Sequence, residues 1–370
     1  MRDFISHRAH GVDASGIRKV FDLAARMKDP INFSIGLPDF DVPDIAKDAA
    51  IEAIRGGNNR YTQTQGIAPL RERLRKDLSA EFARDVGDVL ITSGVSGGLF
   101  LAILATINPG DEAIFLDPYF VMYKHLLTMA GGKAVPVDSY PDFRFHPDRV
   151  ERAITPKTKL LILNTPSNPT GVVMTQPEID AAVALANKHN LLIISDEIYE
   201  PFLYAAGATG LPSAARSYEN TIILRGFSKS HAMTGWRLGY AAGPEPIISQ
   251  MTKLQQYTYV CAPSPLQYAA VAALDLNMTR HVTDYRTKRD IAFDTLSKKF
   301  DVVKPEGAFY IFPKAPAGQT ASAFVEKAIA NNVLVIPGNV FSERDTHFRI
   351  SYATTDDKLR QGCEILNRLV

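Results

Sequence analysis

The strongest constraint on this chain is a repeated alternation of short apolar, β-branched runs with longer stretches of helical periodicity. Val89–Thr92 (VLIT), Ala113–Leu116 (AIFL), Lys159–Asn164 (KLLILN), Leu191–Ser195 (LLIIS), Thr221–Arg225 (TIILR) and Leu238–Gly243 (LGYAAG) read as strands. Leu99–Ile107, Tyr119–Ala130 and Gln176–His189 read as helices between them. Strands that are apolar on both faces need cover on both faces, and connections of this length let a strand return parallel to its predecessor. The pattern predicts an α/β fold: a mostly parallel sheet sandwiched by helices.

Beyond Pro263 the character changes. A helical region to about Asn277 leads into a charged helix over Thr279–Lys299, then strands around Ala308–Phe312, Val333–Ile336 and Phe348–Ala353, and a final helix. This predicts a smaller α+β domain, joined by the N-terminal segment that contains NFSIGLPDF (Asn32–Phe40). The expected division is a large domain over 45–280 and a small domain from 1–44 and 281–370.

Charge and cysteine content narrow the function classes. Lys and Arg number 41 against 40 Asp and Glu, so no strong field points to nucleic acid or an anionic membrane. The two cysteines, Cys261 and Cys363, form no metal-ligand cluster, so neither a metal site nor a disulfide framework is expected, and a reducing cytoplasm is. The start, MRDFISHRAHG, has no signal-peptide core, and the longest apolar run, Leu99–Ile107, is too short to span a bilayer.

Four polar segments share one position, directly after a buried strand: SGVSGG (Ser93–Gly98), NTPSNPTG (Asn164–Gly171), DEIY (Asp196–Tyr199) and GFSKS (Gly226–Ser230). In open α/β sheets ligands bind outside the carboxyl ends of the strands, so segments far apart in sequence converge there. Each has an ordinary reading too. SGVSGG is a plain strand-to-helix turn or an anion cradle at a helix start. Asp196 is a cap or structural ion-pair member, or a carboxylate facing a cationic ligand group. NTPSNPTG is a turn, or a rigid loop that aims the Asn168 amide into the crevice. Lys229 lies among serines after a strand, and Arg237 follows beside the chain's one tryptophan, Trp236. A partly buried lysine is easily neutralised into a nucleophilic amine, and an arginine fork matches phosphate oxygens. Amine, phosphate ligand, glycine-rich helix start and carboxylate together suggest pyridoxal 5'-phosphate, whose aldehyde, phosphate and ring nitrogen want those partners.

Read as a whole, the chain resembles the class I/II aminotransferases, fold type I pyridoxal-phosphate-dependent enzymes of the aspartate/aromatic aminotransferase kind, over nearly its full length. SKSHAMTGWRLGY (Ser228–Tyr240) is similar to the family's S-K-x-x-x-x-T-G-x-R-x-G-Y signature, and GLPDF, NPTG, DEIY and FRISYA follow in the family's order. The resemblance implies a seven-stranded sheet and a transaminase working by a ping-pong mechanism. It implies that Lys229 forms the Schiff base and shuttles the proton, and that Asp196 pairs with the ring nitrogen. Asn168 and Tyr199 would bind the phenolic oxygen, and Phe120 would stack on the ring. Ser228, Arg237 and the backbone at Val95 and Ser96 would hold the phosphate. Arg349, with Asn168 and the backbone near Gly36, would clamp the substrate carboxylate. Tyr61 would reach the phosphate of a neighbouring subunit, which implies a homodimer.

One departure bears on the substrate. Some aspartate-specific relatives carry a lysine for the distal carboxylate where this chain has Ser96. The expected donor is therefore an aromatic or neutral amino acid, or aspartate if another basic residue such as Arg18 takes that part, with 2-oxoglutarate as acceptor. Ile17, Tyr119 and Met233 are candidates to line an apolar side-chain pocket, or else ordinary packing residues. A C–S β-lyase, or a synthase that eliminates from S-adenosylmethionine, would use the same lysine. A non-enzymatic aminotransferase-like regulator would need a DNA-binding segment, which the sequence does not display.

Overall fold

The computed structural model describes residues 4–14, 16–17, 20, 25, 27–205 and 210–370. A first short strand, β1 (Ile31–Asn32), precedes the seven strands of the main sheet. These are β2 (Asp88–Ser93), β3 (Glu112–Asp117), β4 (Lys133–Asp138), β5 (Thr158–Asn164), β6 (Leu192–Asp196), β7 (Thr221–Gly226) and β8 (Leu238–Gly243), in the order β2-β8-β7-β6-β5-β3-β4. Strand β8 runs antiparallel to both neighbours, and the other pairings are parallel.

The continuous apolar runs follow from burial on both faces. On one face Ile162, Ile194, Ile222, Leu224 and Ala241 pack with the helix Gly94–Thr106. On the other, Leu161, Leu163 and Ile193 meet the helix Gln176–His189, and Ile223 and Ala242 meet the helices Ala68–Phe82 and Ser264–Ala273. The helix Gln176–His189 has the predicted bounds for a local reason. Thr175 and Glu178 form a capping box at its start, and Asn190 adopts a left-handed φ of 51° at its end.

Several details differ from what the sequence pattern predicts. The run KAVPVD was not read as a strand, yet it forms β4, the edge strand beside β3, where Pro136 costs no ladder bond on its open side. The helix after β2 begins at Gly94, not Leu99, so SGVSGG forms its first turn. The helix read from Tyr119 begins at Met122, and the charged helix from Thr279 ends at Leu296.

The C-terminal strands are β9 (Tyr310–Ile311), β10 (Val333–Leu334), β11 (Ile336–Pro337) and β12 (Phe348–Ser351). Strands β11, β12 and β9 form an antiparallel sheet in that order, and β10 pairs in parallel with β1. The N-terminal segment joins this unit through Phe33, which is fully buried, and through Ser351 N–H donating to Phe33 O at 2.8 Å. Phe309, Phe324, Phe348, Tyr352 and Leu359 complete its core. Among the described residues, no helix is long and apolar enough to cross a membrane.

Candidate active site

The carboxyl ends of β2, β3, β5, β6 and β7 and the start of antiparallel β8 share one edge of the main sheet. A cleft of roughly 330 Å³ opens there, closed on its far side by Tyr310 and Arg349 of the smaller sheet. Its lining brings together Gly36, Val95, Ser96, Phe120, Asn168, Asp196, Tyr199, Ser228, Lys229, Arg237 and Arg349. Convergence of loops from separate strands is what the topology predicts.

Each group is placed by the strand end that carries it. Lys229 lies in the short helical turn Phe227–Ser230 after β7, and its Nζ donates to Gly36 O at 2.6 Å. Burial first, then the positive charges of Arg349 and Arg237, bring its ammonium down to about 8. Asp196 ends β6 and is buried. Its Oδ2 accepts from Tyr123 Oη at 2.8 Å and its Oδ1 from Ile198 N–H at 3.4 Å, both neutral donors. Burial pushes its carboxyl up to about 6, against the lowering effect of those hydrogen bonds. Among the described residues no cation pairs with it, and such a buried carboxylate is poised for a cationic ligand group.

Arg349 makes the complementary case. It is 1% exposed on β12, donates through Nη1 to Asn168 Oδ1 at 3.0 Å and through Nη2 to Ser34 O at 2.6 Å, and its Nε meets no acceptor among the described residues. Among the described residues it has no carboxylate partner, and burial lowers its pKa. The rings of Tyr310 and Phe341 flank its guanidinium at 4.6 and 4.7 Å. Asn168 is held in turn by its own N–H, which donates to Asn164 Oδ1 at 2.9 Å.

The third grip lies at the start of the helix Gly94–Thr106. Arg237, in a left-handed conformation at φ 56°, extends its guanidinium over Gly94 and donates to Thr234 O at 3.0 Å. Gly94 has φ 67°, a left-handed conformation that favours glycine, and a Cβ there would lie 2.7 Å from Arg237 Nη2 and displace the guanidinium. The first-turn N–H groups beside Arg237 make an anion site. These three environments fit pyridoxal phosphate: an anion cradle for its phosphate, a neutralisable amine for its aldehyde, and an uncompensated buried carboxylate for its ring nitrogen.

The family model for aminotransferase class I and II matches residues 28–366. The aromatic-amino-acid aminotransferase 2 of Thermococcus litoralis is 36% identical, over 99% of this chain and 98% of its own. The probable aspartate aminotransferase of Methanocaldococcus jannaschii is also 36% identical, over 99% of both chains. The structure of Thermus thermophilus aspartate aminotransferase with maleate superposes with a TM-score of 0.93 at 34% identity, over the whole of both chains. The chain belongs to the class I and II aminotransferase family. It is a transaminase with the fold of its relatives, and pyridoxal phosphate is the cofactor of that family.

Not every sequence candidate of this aminotransferase reaches the cleft. Ile17 lines it, but Tyr119 does not: its hydroxyl donates to Glu343 at 3.2 Å and its ring packs edge-on against Phe115. Met233 is fully buried beneath the Lys229 turn, in the core with Phe227 and Leu238. Tyr61 is 82% exposed on the single chain, outside the cleft lining. Arg18 lies outside the described residues. Sequence reasoning missed Tyr123, Asn164, Leu37, Thr234 and Tyr310. Tyr123 carried a weak signal, one helical turn beyond Phe120 in DPYFVMY, whereas Tyr310 looked like any aromatic in a strand.

Proposed function

We propose that this aminotransferase binds pyridoxal phosphate in the cleft and exchanges amino groups between an aromatic or neutral L-amino acid and 2-oxoglutarate. The observation that carries the reading is the placement of a buried, uncompensated cation, Arg349, in the same cleft as an amine near neutrality, Lys229. Bound there, the cofactor supplies an aldehyde for the amino group and a ring that accepts the electrons left when the Cα proton departs.

The chain's own residues do the rest. Ser228, Arg237 and the N–H groups at Val95 and Ser96 hold the phosphate, Phe120 stacks on the ring, and Asp196 keeps the ring nitrogen protonated. Asn168 and the Tyr199 hydroxyl donate to the phenolic oxygen. Arg349, oriented by Asn168 and Ser34, receives the substrate carboxylate, which places Cα within reach of Lys229. The Lys229 amine takes the Cα proton and returns it, a step favoured by its proximity and by a pKa near the working pH.

For the substrate side chain, Ile17 and Leu37 offer an apolar wall, and Ser96 stands where a lysine would greet a second carboxylate. The cations among the described lining residues are Lys229, Arg237 and Arg349, each already assigned a task. Tyr61, exposed here, would complete the phosphate site of a second copy in a homodimer. The cysteines Cys261 and Cys363 are both free, as suits the cytoplasm. The test is to mix loaded protein with single amino acids and assay the products. An oxo acid and pyridoxamine phosphate in equal amounts, with phenylalanine or tyrosine preferred to aspartate, is the expected result. Ammonia and pyruvate from a cysteine conjugate, without pyridoxamine phosphate, would overturn it.

A further inference from the structure

Tyr310 stands where the functional groups of the cleft meet, and its hydroxyl faces Tyr199. It lies on β9, is 1% exposed, and its Oη is 2.8 Å from Tyr199 Oη. Its ring lies 4.6 Å from the Arg349 guanidinium. A side chain at Gly36 would collide with its hydroxyl, and Gly36 O is the acceptor of the Lys229 amine.

Two buried hydroxyls at this separation share one hydrogen; the phenol that accepts keeps its own hydrogen for another acceptor. Burial raises the pKa of both, and Tyr199 stands well above the ordinary phenol value. The Tyr310 ring lies directly against the Arg349 cation, which polarises its O–H. The more acidic phenol is the better donor, so the bond runs from Tyr310 to Tyr199. The other charged groups facing the pair are Lys229, whose Nζ is 6.0 Å from the Tyr199 ring, and Asp196.

We propose that Tyr310 is a positioning residue: it donates its hydroxyl hydrogen to Tyr199 and thereby turns the Tyr199 hydrogen into the cleft, toward the cofactor's phenolic oxygen. This rests on the assignment of Tyr199 to that oxygen. A hydrogen bond donated to the phenolate form favours loss of the proton from the Lys229–cofactor linkage, so it lowers the pH at which visible absorbance titrates. The donor acts through Tyr199, by fixing its rotor and polarising its O–H.

The experiment is a visible absorbance titration of cofactor-loaded parent, Tyr310→Phe, Tyr199→Phe and the double variant. Tyr310→Phe keeps the ring beside Arg349, so KM for the amino acid holds within about twofold while the midpoint rises by about 0.3 to 0.6. Tyr199→Phe raises the midpoint by about 1 to 2. The double variant titrates with Tyr199→Phe alone, because Tyr310 works through it. If Tyr199→Phe shifts and Tyr310→Phe titrates like the parent, the proposal fails and the reading of Tyr199 stands. If the double variant shows the sum of both shifts, Tyr310 acts independently and the proposal fails. If Tyr199→Phe itself titrates like the parent, the placement of Tyr199 is wrong and the proposal falls with it. A change confined to KM in Tyr310→Phe marks a merely structural role and overturns it too.

Discussion

Replacing Arg349 by glutamine removes the charge and leaves a shorter, neutral amide. The guanidinium holds Asn168 Oδ1 and Ser34 O, and among the described residues its Nε meets no acceptor and it has no carboxylate partner. Such a cation is a standing cost to the fold, of several kcal/mol, until a substrate carboxylate arrives. Two charge-assisted hydrogen bonds at about 1.5–3 kcal/mol each set the loss at about 3–6 kcal/mol, or roughly 10²–10⁴ in kcat/KM. Most of it should fall on KM, because the carboxylate is gripped alike in bound substrate and transition state. Initial rates against amino-acid concentration at saturating oxo acid measure this. Calorimetric titration with 3-phenylpropionate, a carboxylate without the amine, should show the same weakening. The unloaded variant should melt at or above the parent, since an uncompensated buried charge is gone. A kcat/KM within about threefold of the parent, or a loss of kcat at constant KM, refutes the reasoning.

Further perturbations bear on the other groups. Because Lys229 titrates at about 8, covalent uptake of pyridoxal phosphate by the unloaded protein should accelerate with pH through that value; a stopped-flow profile flat across it contradicts the assignment. Asp196 binds its proton more tightly in the folded protein, at about 6 against an ordinary 3.8, so its contribution to stability is full below the lower value and is lost as pH rises through the higher. Asp196→Asn should therefore stabilise the unloaded protein relative to the parent near neutrality, with the gap in denaturant midpoint closing in acid; a gap independent of pH rules this out. Dimers mixing a Tyr61→Phe subunit with a Lys229→Ala subunit should contain one site that carries both defects and one that carries neither. Activity near half that of the parent supports the crossing, whereas activity near half that of a Tyr61→Phe homodimer would show that Tyr61 serves its own chain.

Much of the site was legible because the chemistry sits in local words at strand ends. Asp196 directly follows an apolar run, and Lys229 and Arg237 belong to one short connection between β7 and β8. Where local signals were strong the bounds came out as well, as with the capping box of Thr175 and Glu178. What was missed depends on distant partners. Nothing near Tyr123 announces its bond to Asp196, 73 positions away, nor near Tyr310 its bond to Tyr199, 111 positions away. Strand β4 escaped because Pro136 and a weak apolar pattern suit an edge, where half the ladder is unpaired. For Tyr119 and Met233, left open between pocket lining and packing, the packing reading holds: their neighbours in sequence reach the cleft, and their own side chains turn into the core.

The reversed strand β8 divides labour within the enzyme. By turning back at the catalytic edge, the chain delivers Lys229 and Arg237, the proposed amine and phosphate grip, from a single hairpin-like link, so their separation is set by a few residues. Arg349, the proposed carboxylate clamp, is anchored instead on the smaller sheet, beside the N-terminal segment. Recognition of the incoming acid can thus be retuned, by remodelling that outer unit, without disturbing how the prosthetic group is seated.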